Sequence, residues 1–137
     1  MLLHPDTITG LSDAGAHVSF ICDCSMPTFH LTHWVRDRSR GERLPLESTV
    51  RKLTKNNADL YGLSDRGSLE VGKRADVNVI NLDKLTIQAP FVRKDLPAGG
   101  SRILQPSTGY AATLVNGVVT RLNDADTGAR PGRLVRS

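Results

Sequence analysis

Chemistry-bearing residues in this chain of 137 are most concentrated in Gly10-Leu11-Ser12-Asp13-Ala14-Gly15-Ala16-His17. A short apolar approach ends in Ser-Asp, and the small residues that follow let the backbone turn closely beneath a ligand. A carboxylate at the C-terminal end of a strand in a parallel barrel occupies a catalytic position in enzymes built on that scaffold. An Asp in the same local sequence also serves as the cap of a turn or helix. The residues alone leave both roles open for Asp13.

A second cluster is Cys22, Cys24, His30 and His33. Thiolate and imidazole are zinc ligands, but the spacing is C-x-C followed by H-x-x-H rather than the C-x₂₋₄-C and H-x₃₋₅-H of structural zinc sites. The plainer reading makes the cysteines small buried hydrophobes and turns the histidines to a groove or to solvent. No P-loop or dinucleotide fingerprint is present, and no Ser/His/Asp triad follows from spacing.

The elements that must position these groups change character near Leu63. Before it, Leu46, Val50, Leu53 and Leu60 follow the rhythm of an amphipathic helix, with Arg51, Lys52 and Lys55 on the polar side. Pro45 suits the first turn, Glu47 complements the helix dipole, and Gly62 fits the left-handed position past the end, so a helix is expected over about 45–61. A shorter helix is expected from about Thr28 to Asp37, then a charged loop to Arg43. After Leu63, residues 66–80 read as a short strand, a turn near Gly72 and a second strand in which Val77 and Val79 alternate with polar neighbours. Asn116-Gly117 between Ala112–Val115 and Val118–Leu122 is the strongest hairpin signal, because a type I′ turn needs positive φ at both positions. The stretch from Ala89 to Thr108, with Pro90, Pro97, Gly99, Gly100 and Pro106, reads as loop, and the tail from Asn123 as irregular.

Composition narrows the class. The length suits one ordinary domain. A net charge of +4, much of it in the last residues (Arg121, Arg130, Arg133, Arg136), is too small an excess to point to nucleic acid. No window approaches the roughly 18–20 apolar residues that span a bilayer, so no membrane partner is expected. Cys22 and Cys24, the only cysteines, are poorly placed for a mutual disulfide, and a reducing cytoplasm is the expected compartment.

Two stretches resemble amidohydrolase-superfamily enzymes of the N-acyl-D-amino-acid deacylase type. The first is Gly10 to His17, similar to the Ser-Asp segment closing that family's last barrel strand. The second is Thr54-x-x-x-Ala58-x-x-x-Gly62-Leu63-x-x-x-Gly67-x-Leu69-x-x-Gly72-x-x-Ala75-Asp76-Val77, which resembles the passage from the last barrel helix into a small β-sandwich. Val115-Asn116-Gly117-Val118 and Pro131-Gly132-Arg133 resemble the closing hairpin and tail. The resemblance implies an α+β chain: the last strand and helices of a TIM-like barrel over residues 1–63, then part of an antiparallel β-sandwich with a C-terminal tail over residues 64–137. It implies that Asp13 binds the catalytic metal, zinc, and takes a proton from the metal-bound water that attacks an amide carbonyl. It leaves His17 either near the substrate or in a packing or solvent-facing role. Asn57 stands where relatives usually carry Pro.

A whole barrel needs about 250 residues, and the family's His-x-His pair and later ligands lie on strands this sequence does not contain. The chain is therefore expected to be inactive and to bind no zinc alone, with an N-acyl amino acid as substrate of the complete enzyme. Uncovered apolar faces and strand edges predict a homo-oligomer. The competing expectation is a non-catalytic β-rich module that self-associates or binds a partner polypeptide.

Overall fold

The computed structural model describes residues 1–10, 12, 14 and 17–135. Its architecture is α+β, with short helices in the first part of the chain and antiparallel strands in the second. No strand precedes Val77 among the described residues, and none of their helices is long and apolar enough to cross a membrane.

The first helical unit follows a single turn at Asp23–Ser25. Helix α1 (Met26–Phe29) has Pro27 in its first turn, where a missing N–H costs nothing, and continues into a wider helical stretch, His30–Asp37. Its widening is visible where the Arg38 N–H donates to the His33 carbonyl, five residues back, at 2.8 Å. Thr28, Leu31 and Thr32 are buried. In the charged loop that follows, the Arg38 guanidinium lies 4.5 Å over the Trp34 ring, and the Leu44 N–H returns to the Trp34 carbonyl at 2.8 Å.

The expected helix over 45–61 is broken in two, as α2 (Leu46–Leu53) and α3 (Lys55–Leu60). Thr54 sits between them at φ −125°, ψ −86°, and its hydroxyl donates back to the Val50 carbonyl at 2.7 Å. That back-bond and a β-branched side chain favour a bend there. The buried stripe also differs from the apolar one. Thr49 and Ala58 are 2% and 5% exposed, whereas Leu46, Val50 and Leu60 are 38%, 43% and 60% exposed. Hydrophobic periodicity thus marks a face that this chain does not itself cover.

In the second part, β1 (Val77–Ile80), β6 (Tyr110–Val115), β7 (Val118–Leu122) and β8 (Ala125–Asp126) form an antiparallel sheet in the order β1-β6-β7-β8. Asn116 and Gly117 turn the β6–β7 hairpin at φ 50° and 78°, as their sequence requires. The strand expected before Gly72 does not form, and that stretch is a series of turns and bends. In β1 the register shifts between Val79 and Ile80, so Val79 is exposed and the simple alternation fails.

The stretch from Ala89 to Thr108, expected to be loop, contains strands. Phe91–Arg93 (β3) pairs with Arg102–Leu104 (β4), and Thr86–Ile87 (β2) with Ser107–Thr108 (β5). Like charges Arg93 and Arg102 face each other across the β3–β4 pair. Asp95 offsets them, meeting Arg102 through two bonds of 2.7 Å and Arg93 at 3.3 Å. Arg102 holds the Asp95 carboxyl below the ordinary carboxylate range. Gly and Pro fall outside the paired residues, and in the connection Ala98 and Gly99 both have positive φ.

The two parts are joined through side chains. Leu85, with no exposed surface, anchors the turn after β1. Gly109 approaches it so closely that a Cβ at 109 would lie 2.7 Å from the Leu85 Cα. Thr28 and Tyr110 share a hydroxyl–hydroxyl bond of 2.7 Å, and Ser25 Oγ donates to Gln105 Oε1 at 2.6 Å.

Candidate functional site

Asp13 lies outside the described residues, so the site is defined by what holds the chain on either side of it. On the approach, Thr9 is 7% exposed and is held from two consecutive helices. The Asn57 amide in α3 donates to the Thr9 carbonyl at 2.9 Å, while Thr9 Oγ1 donates to the Lys52 carbonyl in α2 at 3.1 Å. Lys52 Nζ donates to the carbonyls of His4, at 2.9 Å, and Thr7. The polar face assigned to Lys52 is therefore turned to backbone carbonyls 45 and 48 residues away in sequence. No local spacing could have revealed that, because both partners are main-chain atoms of a distant segment.

Beyond Asp13, exposed His17 has φ 48°, and its carbonyl accepts from the Phe20 and Ile21 N–H groups at 2.8 and 3.0 Å. The Ile103 N–H in β4 then donates to the Val18 carbonyl at 2.8 Å. The β3–β4 hairpin thus lies against the segment that follows Asp13, a role the sequence reading of 89–108 as loop did not contain.

The Cys/His cluster does not assemble into a metal centre. The Cys24 thiol turns to the Cys22 carbonyl at 4.0 Å. The His33 ring stacks on Phe29 with centroids 4.9 Å apart and meets the edge of Trp34 at 5.0 Å, which commits it to packing. Burial lowers the His30 pKa, and its Nδ1 is buried without a hydrogen-bond partner among the described residues. No group of three or more His, Cys, Asp and Glu side chains among the described residues is placed to hold a metal ion, so these residues do not fit zinc.

Other charged groups serve the fold. Arg66 pairs with Asp65 at 2.9 Å and holds its carboxyl below the ordinary range. Asp76 Oδ1 accepts the Asn116 N–H at 2.7 Å, fixing the turn to the entry of β1. A shallow groove beside α2, lined by Leu46, Val50, Thr54, Gly67 and Ser68, carries Glu47, Arg51 and Lys55 but no His, Cys or Asp.

Comparison with known proteins gives two matches. The model of the amidohydrolase family matches residues 1–121. An N-acyl-D-glutamate deacylase from Alcaligenes xylosoxydans xylosoxydans is 37% identical over 106 residues, 77% of this chain and 19% of that protein. The chain thus spans less than a quarter of the length of the curated relative it matches. No solved structure matches.

Proposed function

Because the chain belongs to the amidohydrolase family, we propose that it is the C-terminal share of a metal-dependent hydrolase that cleaves the amide bond of N-acyl-D-amino acids, and that it is inactive alone. The observation that carries this reading is the 37% identity over 106 residues to an N-acyl-D-glutamate deacylase. Asp13 is the proposed catalytic carboxylate. It accepts a proton from the attacking water and returns it to the leaving nitrogen, serving first as general base and then as general acid. His17, exposed on the far side of the same segment, is the proposed substrate contact. Zinc belongs to the complete protein, with Asp13 among its ligands and the others outside the described residues.

In this reading residues 1–63 are the end of the barrel and residues 64–137 a β-sandwich portion with its tail. The exposed Leu46, Val50, Leu60 and Tyr61 then face further polypeptide in the complete enzyme, and a second copy in the isolated chain. The proposed compartment is the cytoplasm. A second reading, a non-catalytic β-rich module, is favoured by Phe91 and Val92, 46% and 65% exposed on the β3–β4 hairpin.

The test uses the isolated chain and a graft in which it replaces the matching stretch of the Alcaligenes deacylase. The graft is expected to hydrolyse N-acyl-D-glutamate and the isolated chain to be inert, with or without zinc. An inert graft, or turnover by the isolated chain that is lost in Asp13→Ala, contradicts the reading. Light scattering after size exclusion is expected to show an oligomer of the isolated chain; a compact monomer counts against self-association.

A further inference from the structure

We propose that Lys52 and Asn57 are positioning residues for the reaction: from consecutive helices they grip the backbone of residues 4–9 and set the direction in which the chain enters the segment carrying Asp13. The inference rests on the reading of Asp13 as the catalytic carboxylate.

Residues 4–9 have no strand partner among the described residues, so their carbonyls take hydrogen-bond donors from elsewhere. Lys52 Nζ meets the carbonyls of His4 and Thr7, and the Asn57 amide meets that of Thr9. Thr9 closes the loop by donating its hydroxyl to the Lys52 carbonyl, so the grip runs in both directions. Lys52 forms no ion pair among the described residues, and its donors are directed at main-chain oxygens.

Stability alone does not account for the asparagine. Its Oδ1 is buried and has no hydrogen-bond partner among the described residues, a cost that an apolar side chain at 57 would avoid. What the amide provides is a directional bond to Thr9, four positions before Asp13. A carboxylate that must meet an attacking water depends on such placement, because a displacement of about 1 Å can lower a rate about 100-fold.

The experiment compares Asn57→Leu, Lys52→Met and Lys52→Arg in the graft and in the isolated chain. In the graft, Asn57→Leu and Lys52→Met are expected to lower kcat about 10- to 100-fold with KM within about twofold, while Lys52→Arg retains most of the activity. Melting of Asn57→Leu is expected to change little, because removing the unpaired Oδ1 offsets the loss of the bond to the Thr9 carbonyl. In the isolated chain, ¹⁵N order parameters are expected to fall at residues 7–10 and to hold at the Asn116-Gly117 turn. A kcat left within twofold in both variants overturns the proposal, as does a loss of kcat matched by a general loss of melting temperature. If the unsubstituted graft is inert, the reading of Asp13 fails and the catalytic role of the tether fails with it. Order parameters unchanged at residues 7–10 overturn the tether itself.

Discussion

Arg36 Nη1 donates to the Leu85 carbonyl at 2.9 Å, and the same nitrogen reaches the carbonyls of Leu82 and Asp83. One guanidinium on the first helical unit thereby gathers the turn that carries the most deeply buried leucine of the second part. Asp37 holds the other edge of the guanidinium through bonds of 2.6 and 2.8 Å, which fixes its plane. Asp37 also raises the Arg36 pKa above its ordinary value, so the clamp stays charged throughout the working range of pH.

Replacing this side chain is expected to loosen the junction. Arg36→Met should destabilise the chain by about 2 kcal/mol, the usual worth of hydrogen bonds made by a charged donor. Arg36→Lys should recover little, because an ammonium lacks the planar fork that spans carbonyls and carboxylate together. Urea midpoints of the three proteins measure it, and equal midpoints would show the clamp to be idle.

Gly109 tests the same junction from the opposite side. Its φ of +105° disfavours any L side chain, and a Cβ there would lie 2.7 and 2.8 Å from backbone atoms of Leu85. Gly128 supplies the control, with φ +83° and nothing within 4 Å of a built Cβ. Gly128→Ala is expected to cost about 1 kcal/mol from backbone strain alone, and Gly109→Ala about 3 kcal/mol or more. Similar losses in the two variants would remove the close approach as a cause.

The tail carries a pH signature. Arg130 forks onto Asp126 at 2.7 and 3.0 Å, the Gly128 N–H adds a bond of 2.8 Å, and together they lower the Asp126 pKa to about 2. A carboxyl whose folded pKa is depressed contributes stability that is complete above its ordinary value of 3.8 and is lost as pH falls through about 2. The ¹³C carboxyl resonance of Asp126 is expected to titrate near 2 and to move back towards 3.8 in Arg130→Gln. Because the pair is exposed, 1 M salt should shrink the shift. A wild-type midpoint near 3.8 would rule the pairing out.

Much of this architecture was legible in local sequence, and what was missed has a common origin. The Asn116-Gly117 hairpin, the left-handed Gly62 and Gly72, and the helix near Thr28 to Asp37 all depend on neighbours in the chain. The break at Thr54 was hidden because Leu46, Val50, Leu53 and Leu60 keep one periodicity across it. That face is partly exposed, so the pattern does not mark the core of this chain. Strands β3 and β4 were obscured by the prolines and glycines around them, although Phe91-Val92-Arg93 and Arg102-Ile103-Leu104 are β-forming triplets joined by a charge pair at Asp95. At the candidate site, small residues around Asp13 singled out the segment, but Lys52 and Asn57 reach only its approach, residues 4–9, across more than 40 positions. A contact of that separation leaves no trace in spacing.

The central claim is that Asp13 supplies the working carboxylate of an amidohydrolase to which this chain contributes only a part. The most direct measurement is kcat for N-acyl-D-glutamate hydrolysis by the graft before and after Asp13→Asn, a change that keeps shape and removes the base. A fall of at least about 100-fold is expected with zinc supplied, since general acid–base groups contribute about 100- to 10,000-fold. Equal kcat in the two grafts would contradict it.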